Sequence, residues 1–285
     1  MPSWPAVIVG AVVVGALIGA AQKGDVDAPV SAPDVTEPGT TPQATARATA
    51  QATPPPEQRE TSAQDPADGT DARADQPAPP PSWPPEVRTA LPPQQSPRVA
   101  LTFDDGPHPT WTPQLLDVLA RHGASATFCV VGDQIPGNES LLRRIHAEGH
   151  QLCNHTASHD YGLPARPPEQ IAAEIGSVND QISQVVPDAE VVVFRAPGGR
   201  FTSDLVDAAG DLGLTSWAWS IDAADWRTTE TSAIVSSVLD AVAPDAVILL
   251  HDGGGDRSAT VTAVDELVPV LQSVGYDFVT LPATS

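Results

Sequence analysis

From Arg98 onward, short apolar or β-branched runs alternate with longer segments of helical period. Val99–Phe103 reads as a first strand, Thr112–His122 as a helix stopped by Gly123, and Ala126–Val131 as a second strand. A helix from about Glu139 ends at Gly149, and Gln151–Asn154 forms a brief third strand. Pro167-Pro168 open a long helix with Ile171, Ile175, Val178, Ile182 and Val185 on one side. Val191–Phe194, Thr215–Ser220, Ala246–Leu250 and Tyr276–Leu281 supply four more strands, with helices between. Seven strands separated by helices imply right-handed parallel crossovers. Runs such as Val191–Phe194 and Val247–Leu250 are apolar on both faces, as a covered parallel sheet requires. A doubly wound open sheet and a (β/α) barrel, the latter incomplete or distorted at this length, both fit the pattern.

Before Arg98 the pattern is different. Trp4 to Ala21 is an uncharged, largely apolar run that ends in small residues, Gly19-Ala20-Ala21, suited to cleavage before Gln22 and is followed by Lys23. It reads as a signal peptide or a membrane anchor over residues 1–23. Residues 24–97 are rich in Pro, Ala and Thr, show no apolar periodicity and hold one leucine, Leu91. Such a segment cannot bury enough to offset its ordering entropy, so it is expected to be a disordered linker. The expected folded domain is therefore 98–285, exported and either secreted or held at the outer face of the cell membrane. The membrane enters only through the N-terminal segment.

The formal charge of −22 falls mostly on that domain, with 9 basic against 25 acidic residues in 98–285. So acidic a chain cannot neutralise many phosphates, which argues against nucleic acid. The single lysine, Lys23, excludes a Walker A loop and a lysine Schiff base in the folded part. No Gly-x-Ser-x-Gly elbow or Gly-x-Gly-x-x-Gly fingerprint is present either.

Chemically capable residues gather just past the predicted strands. Asp104-Asp105 follow the first, His155 and His159 the third, and Arg195 the fourth. Asp222 and Asp225 follow the fifth, and His251-Asp252 the sixth. In either parallel architecture these strand ends share one face, where active sites form. Adjacent carboxylates at a strand exit can divide between a metal and a substrate. Two histidines four residues apart, expected to stack on one helical turn, join one carboxylate as a facial ligand set.

These five ordered clusters resemble the polysaccharide deacetylases of carbohydrate esterase family 4, the group with the NodB homology domain. The resemblance covers 98–285 and implies a distorted (β/α) barrel that removes acetyl groups from N-acetylglucosamine polymers or acetylated xylan. Thr102–Pro107 looks like the first motif, which implies Asp104 as catalytic base and Asp105 as a metal ligand. His155-Thr156-Ala157-Ser158-His159 is similar to the second and implies His155 and His159 as the remaining ligands of one divalent ion, zinc first and cobalt or another divalent ion as alternatives. Arg195-Ala196-Pro197-Gly198-Gly199 resembles the third. It implies that Arg195 pairs with the base, that the Gly198 amide faces the oxyanion, and that Pro197 lies against substrate. Asp222–Trp226 resembles the fourth, with Asp225 orienting the catalytic histidine and Trp226 lining the groove. Leu249-Leu250-His251 looks like the fifth, with His251 as general acid and Leu249 near the acetyl methyl.

The implied substrate is an N-acetylated wall glycan, peptidoglycan or chitin-like, bound by a monomer. An O-acetyl xylan esterase on the same fold and a non-catalytic glycan-binding wall protein are the alternatives. The sequence departs from the family pattern at Gly198, where an aromatic is common, and at Asp160, where a proline is usual. Gly253–Arg257 reads as a flexible loop placed to contact substrate. Trp217 and Trp219 are expected in the core. Cys129 and Cys153 fall on neighbouring parallel strands. Two cysteines of an exported protein would often be bridged, but disulfide geometry is rarely good there, so buried free thiols are the expectation and a bridge the alternative.

Overall fold

The computed structural model describes residues 82–283. The expected export segment 1–23 and residues 24–81 of the expected linker lie outside the described residues. In chain order the main elements are β1 (Arg98–Gly106), α1 (Trp111–His122), β2 (Ala126–Val130), α2 (Glu139–Ala147), β3 (Gln151–Asn154), α3 (Pro168–Val185) and β4 (Val193–Phe194). Then follow α4 (Ser203–Asp211), β5 (Thr215–Ser216), β6 (Ile221–Asp222), α5 (Thr231–Leu239), β7 (Ala246–His251), α6 (Ser258–Ser273) and β8 (Asp277–Phe278). As the periodicity predicts, Gly123 ends α1 in the left-handed conformation (φ 62°). Ile171, Ile175, Val178 and Ile182 of α3 are buried along one stripe.

Every pairing between these strands is parallel, in the order β5-β4-β3-β2-β1-β7-β6, with β8 beside the start of β1. β5 and β6 end this path on opposite sides, yet residues 217–220 alone join them. A link that short forces the sheet to curl until its edges approach. The result is a distorted, incomplete (β/α) barrel of seven parallel strands, so the barrel alternative holds and the open sheet does not. The expected strand Thr215–Ser220 is not continuous. Its start pairs with β4, and the chain then crosses the gap to pair with β7 as β6.

Strand alternation sorts the side chains. Val99, Leu101 and Phe103 of β1 join Ile248 and Leu250 of β7 in a core facing α1 and α6. The intervening positions point inside the barrel, where Ala100 packs with Val247 and Leu249. The same alternation carries Asp104 and His251, which are register partners, to the upper interior. Asp104 also pairs with Cys129, and Cys129 with Cys153, so the four residues form one row across four strands.

That row corrects the expectation of free thiols: Cys129 and Cys153 are joined in a disulfide. Directly opposed positions on β2 and β3 bring their Cα atoms to 4.1 Å, both facing inward.

Packed residues are also found before Arg98. Val87 and Leu91 are buried and Trp83 packs against the interior core, although all three lie in the stretch expected to be linker. Arg88 accepts from the Ala218 N–H (2.8 Å) and donates to Ser216 O (3.0 Å), while Leu91 N donates to Asp245 O (2.8 Å). Residues 88–91 thus lie across the gap between the sheet's two edges.

Candidate active site

The exit of β1 explains how two consecutive aspartates serve one cleft. The register with β2 shifts between Asp104 and Gly106, leaving Asp105 as an extra residue with φ 73°. A bulge of this kind redirects a side chain that pleating would send to the opposite face. Both carboxylates therefore reach the interior. Gly106 is required here, because Asp252 occupies the space a Cβ would take.

His155 and His159 arrive from the loop after β3, and that loop is not the expected helical turn. Thr156 and His159 adopt left-handed conformations (φ 65° and 54°), and the two rings approach to 5.0 Å between centroids. Asn154 shapes the loop by accepting the Thr156 N–H (3.0 Å) and donating to Ile175 O (2.7 Å). The Nδ1 of His155 lies 2.8 Å from Arg195 O, an acceptor only, so Nδ1 donates there and Nε2 is turned toward the cleft. That Nε2 is 3.4 Å from Oδ1 of Asp105, and Nε2 of His159 is 3.0 Å from the same oxygen.

Oδ1 of Asp105 is buried and, among the described residues, no donor reaches it with good hydrogen-bond geometry despite these short distances. The ligand atoms of Asp105, His155 and His159 lie within 4.8 Å of one another, converging on a point instead of bonding in pairs. Two imidazoles and a carboxylate fit a borderline divalent cation with coordination positions left open. Burial alone would raise the Asp105 pKa, but His159, His155 and His251 around it hold it well below the usual carboxylate range.

Asp104 is held from the other side by Arg195, which is wholly buried. Nη1 donates to Oδ1 of Asp104 (2.9 Å) and to Oγ1 of Thr102 (2.7 Å). Nε and Nη2 donate to the carbonyls of Trp217 (3.1 Å) and Ala218 (3.0 Å), where the chain crosses the barrel gap. This guanidinium thus ties β1 to the crossing segment beneath the cleft.

His251 ends β7, and its Nδ1 lies 2.8 Å from Oδ1 of Asp225. The other oxygen of Asp225 accepts the His251 N–H (2.9 Å) and the Thr260 hydroxyl (2.8 Å). Burial would lower the His251 pKa, but Asp225 and, more weakly, Asp105 raise it to about 9. The imidazolium is the stable form at neutral pH.

The cleft between these groups has a volume of about 20 Å³, and Asp104, Asp105, His155, His159 and His251 line it with Gly198, Trp219, Asp222, Trp226 and Leu249. Arg195 and Asp225 stand behind it, each bonded to a residue that faces it. Pro197 is buried one position before Gly198 and is not among the lining residues. Asp222 accepts the Ala224 N–H (2.7 Å) and the Trp226 indole N–H (3.3 Å), which orients that ring.

Gly198 has φ 58°, and a Cβ there would lie 2.8 Å from Cε1 of Tyr161. The ring missing from this position is thus replaced in space by Tyr161, which stacks edge-on against His159 at 5.0 Å. Trp217 and Trp219 are both core residues, as expected, and Trp219 in addition lines the cleft, where the chain crosses from β5 to β6. The loop after His251 is also tied down. Arg257 is buried and donates to the carbonyls of Gly253 (2.7 Å), Gly254 (3.1 Å) and Asp225 (3.1 Å). Thr102, Thr260 and Arg257 escaped sequence reasoning. Thr102 alone carries a local signal, a polar residue two before Asp104 on the same strand face.

A polysaccharide deacetylase family model matches residues 92–217. A chitooligosaccharide deacetylase of Sinorhizobium fredii (strain NBRC 101917 / NGR234) is 38% identical over 197 residues, which cover 66% of this chain and 91% of that protein. A peptidoglycan-N-acetylglucosamine deacetylase of Bacillus cereus is 37% identical over 185 residues, covering 64% and 85% respectively. Among solved structures, the Bc1960 peptidoglycan N-acetylglucosamine deacetylase superposes with a TM-score of 0.65 at 31% identity, covering 69% of this chain and 91% of that one.

Proposed function

This chain belongs to the polysaccharide deacetylases of carbohydrate esterase family 4, and we propose that it hydrolyses N-acetyl groups of N-acetylglucosamine-type glycans with the help of one divalent ion. The observation that carries this reading is the convergence of Asp105, His155 and His159 between Asp104 on one side and the His251–Asp225 pair on the other. Zinc is the first candidate for the ion. When bound there, it supplies Lewis acidity to the acetyl carbonyl and to water.

The remaining work falls to side chains. Asp104, oriented by Arg195, accepts the proton of the attacking water. The Gly198 amide is assigned to the oxyanion that develops on the acetyl oxygen. An amine is a poor leaving group, so His251 delivers the proton from Nε2 while Asp225 holds Nδ1. Leu249 and Trp226 supply apolar surface for the acetyl methyl and the sugar ring. Residues 1–23 export or anchor the chain, and the linker that follows carries the catalytic domain into the cell-wall space.

The test is acetate release by the full chain from N-acetylglucosamine oligomers, peptidoglycan and acetylated xylan. Activity on the first two, abolished by a chelator and restored by zinc or cobalt, is the expected result. Release from xylan alone would assign the esterase alternative. No release from any acetylated glycan by the metal-loaded chain would overturn the enzymatic reading.

A further inference from the structure

The turn that carries Gly198 has little of its own to hold it. Gly198 and Gly199 are consecutive left-handed glycines (φ 58° and 66°), the residue type that loses most freedom on being fixed. Local bonds close the turn: Gly199 N donates to Ala196 O (2.9 Å) and Phe201 N to Gly199 O (2.9 Å). One further bond comes from 116 residues away. The indole N–H of Trp83 donates to Gly199 O at 2.7 Å.

The same indole packs edge-on against Trp219 (5.4 Å, 70°) and Phe201 (6.5 Å, 86°). Trp219 in turn stands where a Gly199 Cβ would fall, at 2.8 Å, and the Arg195 guanidinium lies 5.8 Å from its ring centroid. Trp83 therefore touches the turn behind Gly198 and backs Trp219, and both Gly198 and Trp219 line the cleft. Its own segment is anchored further along. Arg88 bonds on either side of Trp217, and Val87 and Leu91 are buried. All of this lies before residue 92, where the family match begins.

We propose that Trp83 is a positioning residue: from the chain preceding the barrel, it fixes the Gly198–Gly199 turn and the Trp219 wall of the cleft. The catalytic unit accordingly includes Trp83, and a barrel cut at Arg98 lacks one support of its site. What the turn does for catalysis rests on the deacetylase reading; that Trp83 holds it does not.

The experiment uses the full chain with Trp83→Ala and Trp83→Phe, the latter keeping an aromatic ring while removing the donor. Two readouts are taken: amide hydrogen exchange across residues 196–201, and kcat and KM for acetate release from an N-acetylglucosamine oligomer with zinc. Both variants are expected to speed exchange in 196–201 by about tenfold, the effect of one ordinary hydrogen bond, with α6 and β7 unchanged. Their kcat is expected to fall by a similar factor with KM nearly constant. Unaltered exchange at 196–201 overturns the proposal, as does a uniform acceleration over the whole barrel, which marks mere loss of stability. Should Trp83→Ala fail to fold, Trp83→Phe decides alone. If the wild-type chain releases no acetate, the deacetylase reading fails and the exchange measurement still decides the role of Trp83.

Discussion

Both oxygens of Asp225 are committed to fixing His251: one lies 2.8 Å from its Nδ1 and the other accepts its backbone N–H at 2.9 Å. The carboxylate thus sets the position of the imidazole and also its charge. A histidine whose pKa is raised to about 9 keeps its proton at neutral pH and loses it as pH rises through that value. The rate of acetate release should therefore fall on the alkaline side at or below about pH 9, since a bound cation beside Asp105 pushes the His251 pKa back down. Asp225→Asn removes the main raising charge. Its alkaline limb should move to lower pH, with kcat/KM at pH 7 reduced roughly 100-fold or more. A pH–rate profile of the two proteins checks both statements, and an unmoved limb would separate His251 from proton delivery.

Arg195 is the point where the base and the barrel crossing meet, and its four acceptors lie in directions that only a planar fork can reach. Lysine keeps the charge but offers donors from a single point. Arg195→Lys should strand buried carbonyls of Trp217 and Ala218 or release Asp104. Breaking a buried charged pair in this way typically costs about 3–5 kcal/mol. Urea unfolding should register that loss, and acetate release below the unfolding transition should drop at least as far as in Asp225→Asn.

The Cys129–Cys153 bridge predicts a clear chemical result. Alkylation of the unfolded chain without reductant should add no label, and reduction first should add two. Replacing both cysteines by serine frees a loop closed over a separation of 24 residues, worth roughly 3 kcal/mol in chain entropy. The bridge lies in the same strand row as Asp104, two residues before His155. Thermal unfolding of the double variant should therefore start from a visibly lower midpoint under non-reducing conditions.

That the seven residues proposed for catalysis and metal binding meet at one cleft was legible because each stands at or just past the C-terminal end of a strand, and parallel β/α order gathers those ends regardless of detail. Register was not legible. Alternation tells which face Cys129 and Cys153 share but not that they stand opposite each other, so their bond was missed. The break between β5 and β6 was not legible either, because Thr215–Ser220 has the composition of one strand, while the barrel's gap demands that it serve two edges. The segment before Arg98 was hidden by its prolines. Trp83, Val87 and Leu91 recur at intervals of four, and that weak periodicity was the one available sign that this stretch packs.

Asp252 allows a prediction about stability that is independent of the reaction. It is buried beneath Gly106, with Oδ2 accepting the Thr112 hydroxyl (2.5 Å) and Oδ1 without a partner among the described residues. Burial, reinforced by Asp105 and Asp104 nearby, pushes its pKa up to about 7. An unfolded aspartate titrates near ~3.9. Between those two values the folded chain holds a proton that the unfolded chain releases, so this residue's contribution to stability declines as pH rises through that window. Asp252→Asn mimics the protonated acid, retaining an acceptor for Thr112 and never ionising. In chelator-treated protein, the midpoint of the variant should match that of the wild type near pH 4.5 and exceed it increasingly toward pH 8. A difference that stays constant with pH would mean that Asp252 is ionised in the folded chain throughout, held so by the neighbouring His251 imidazolium.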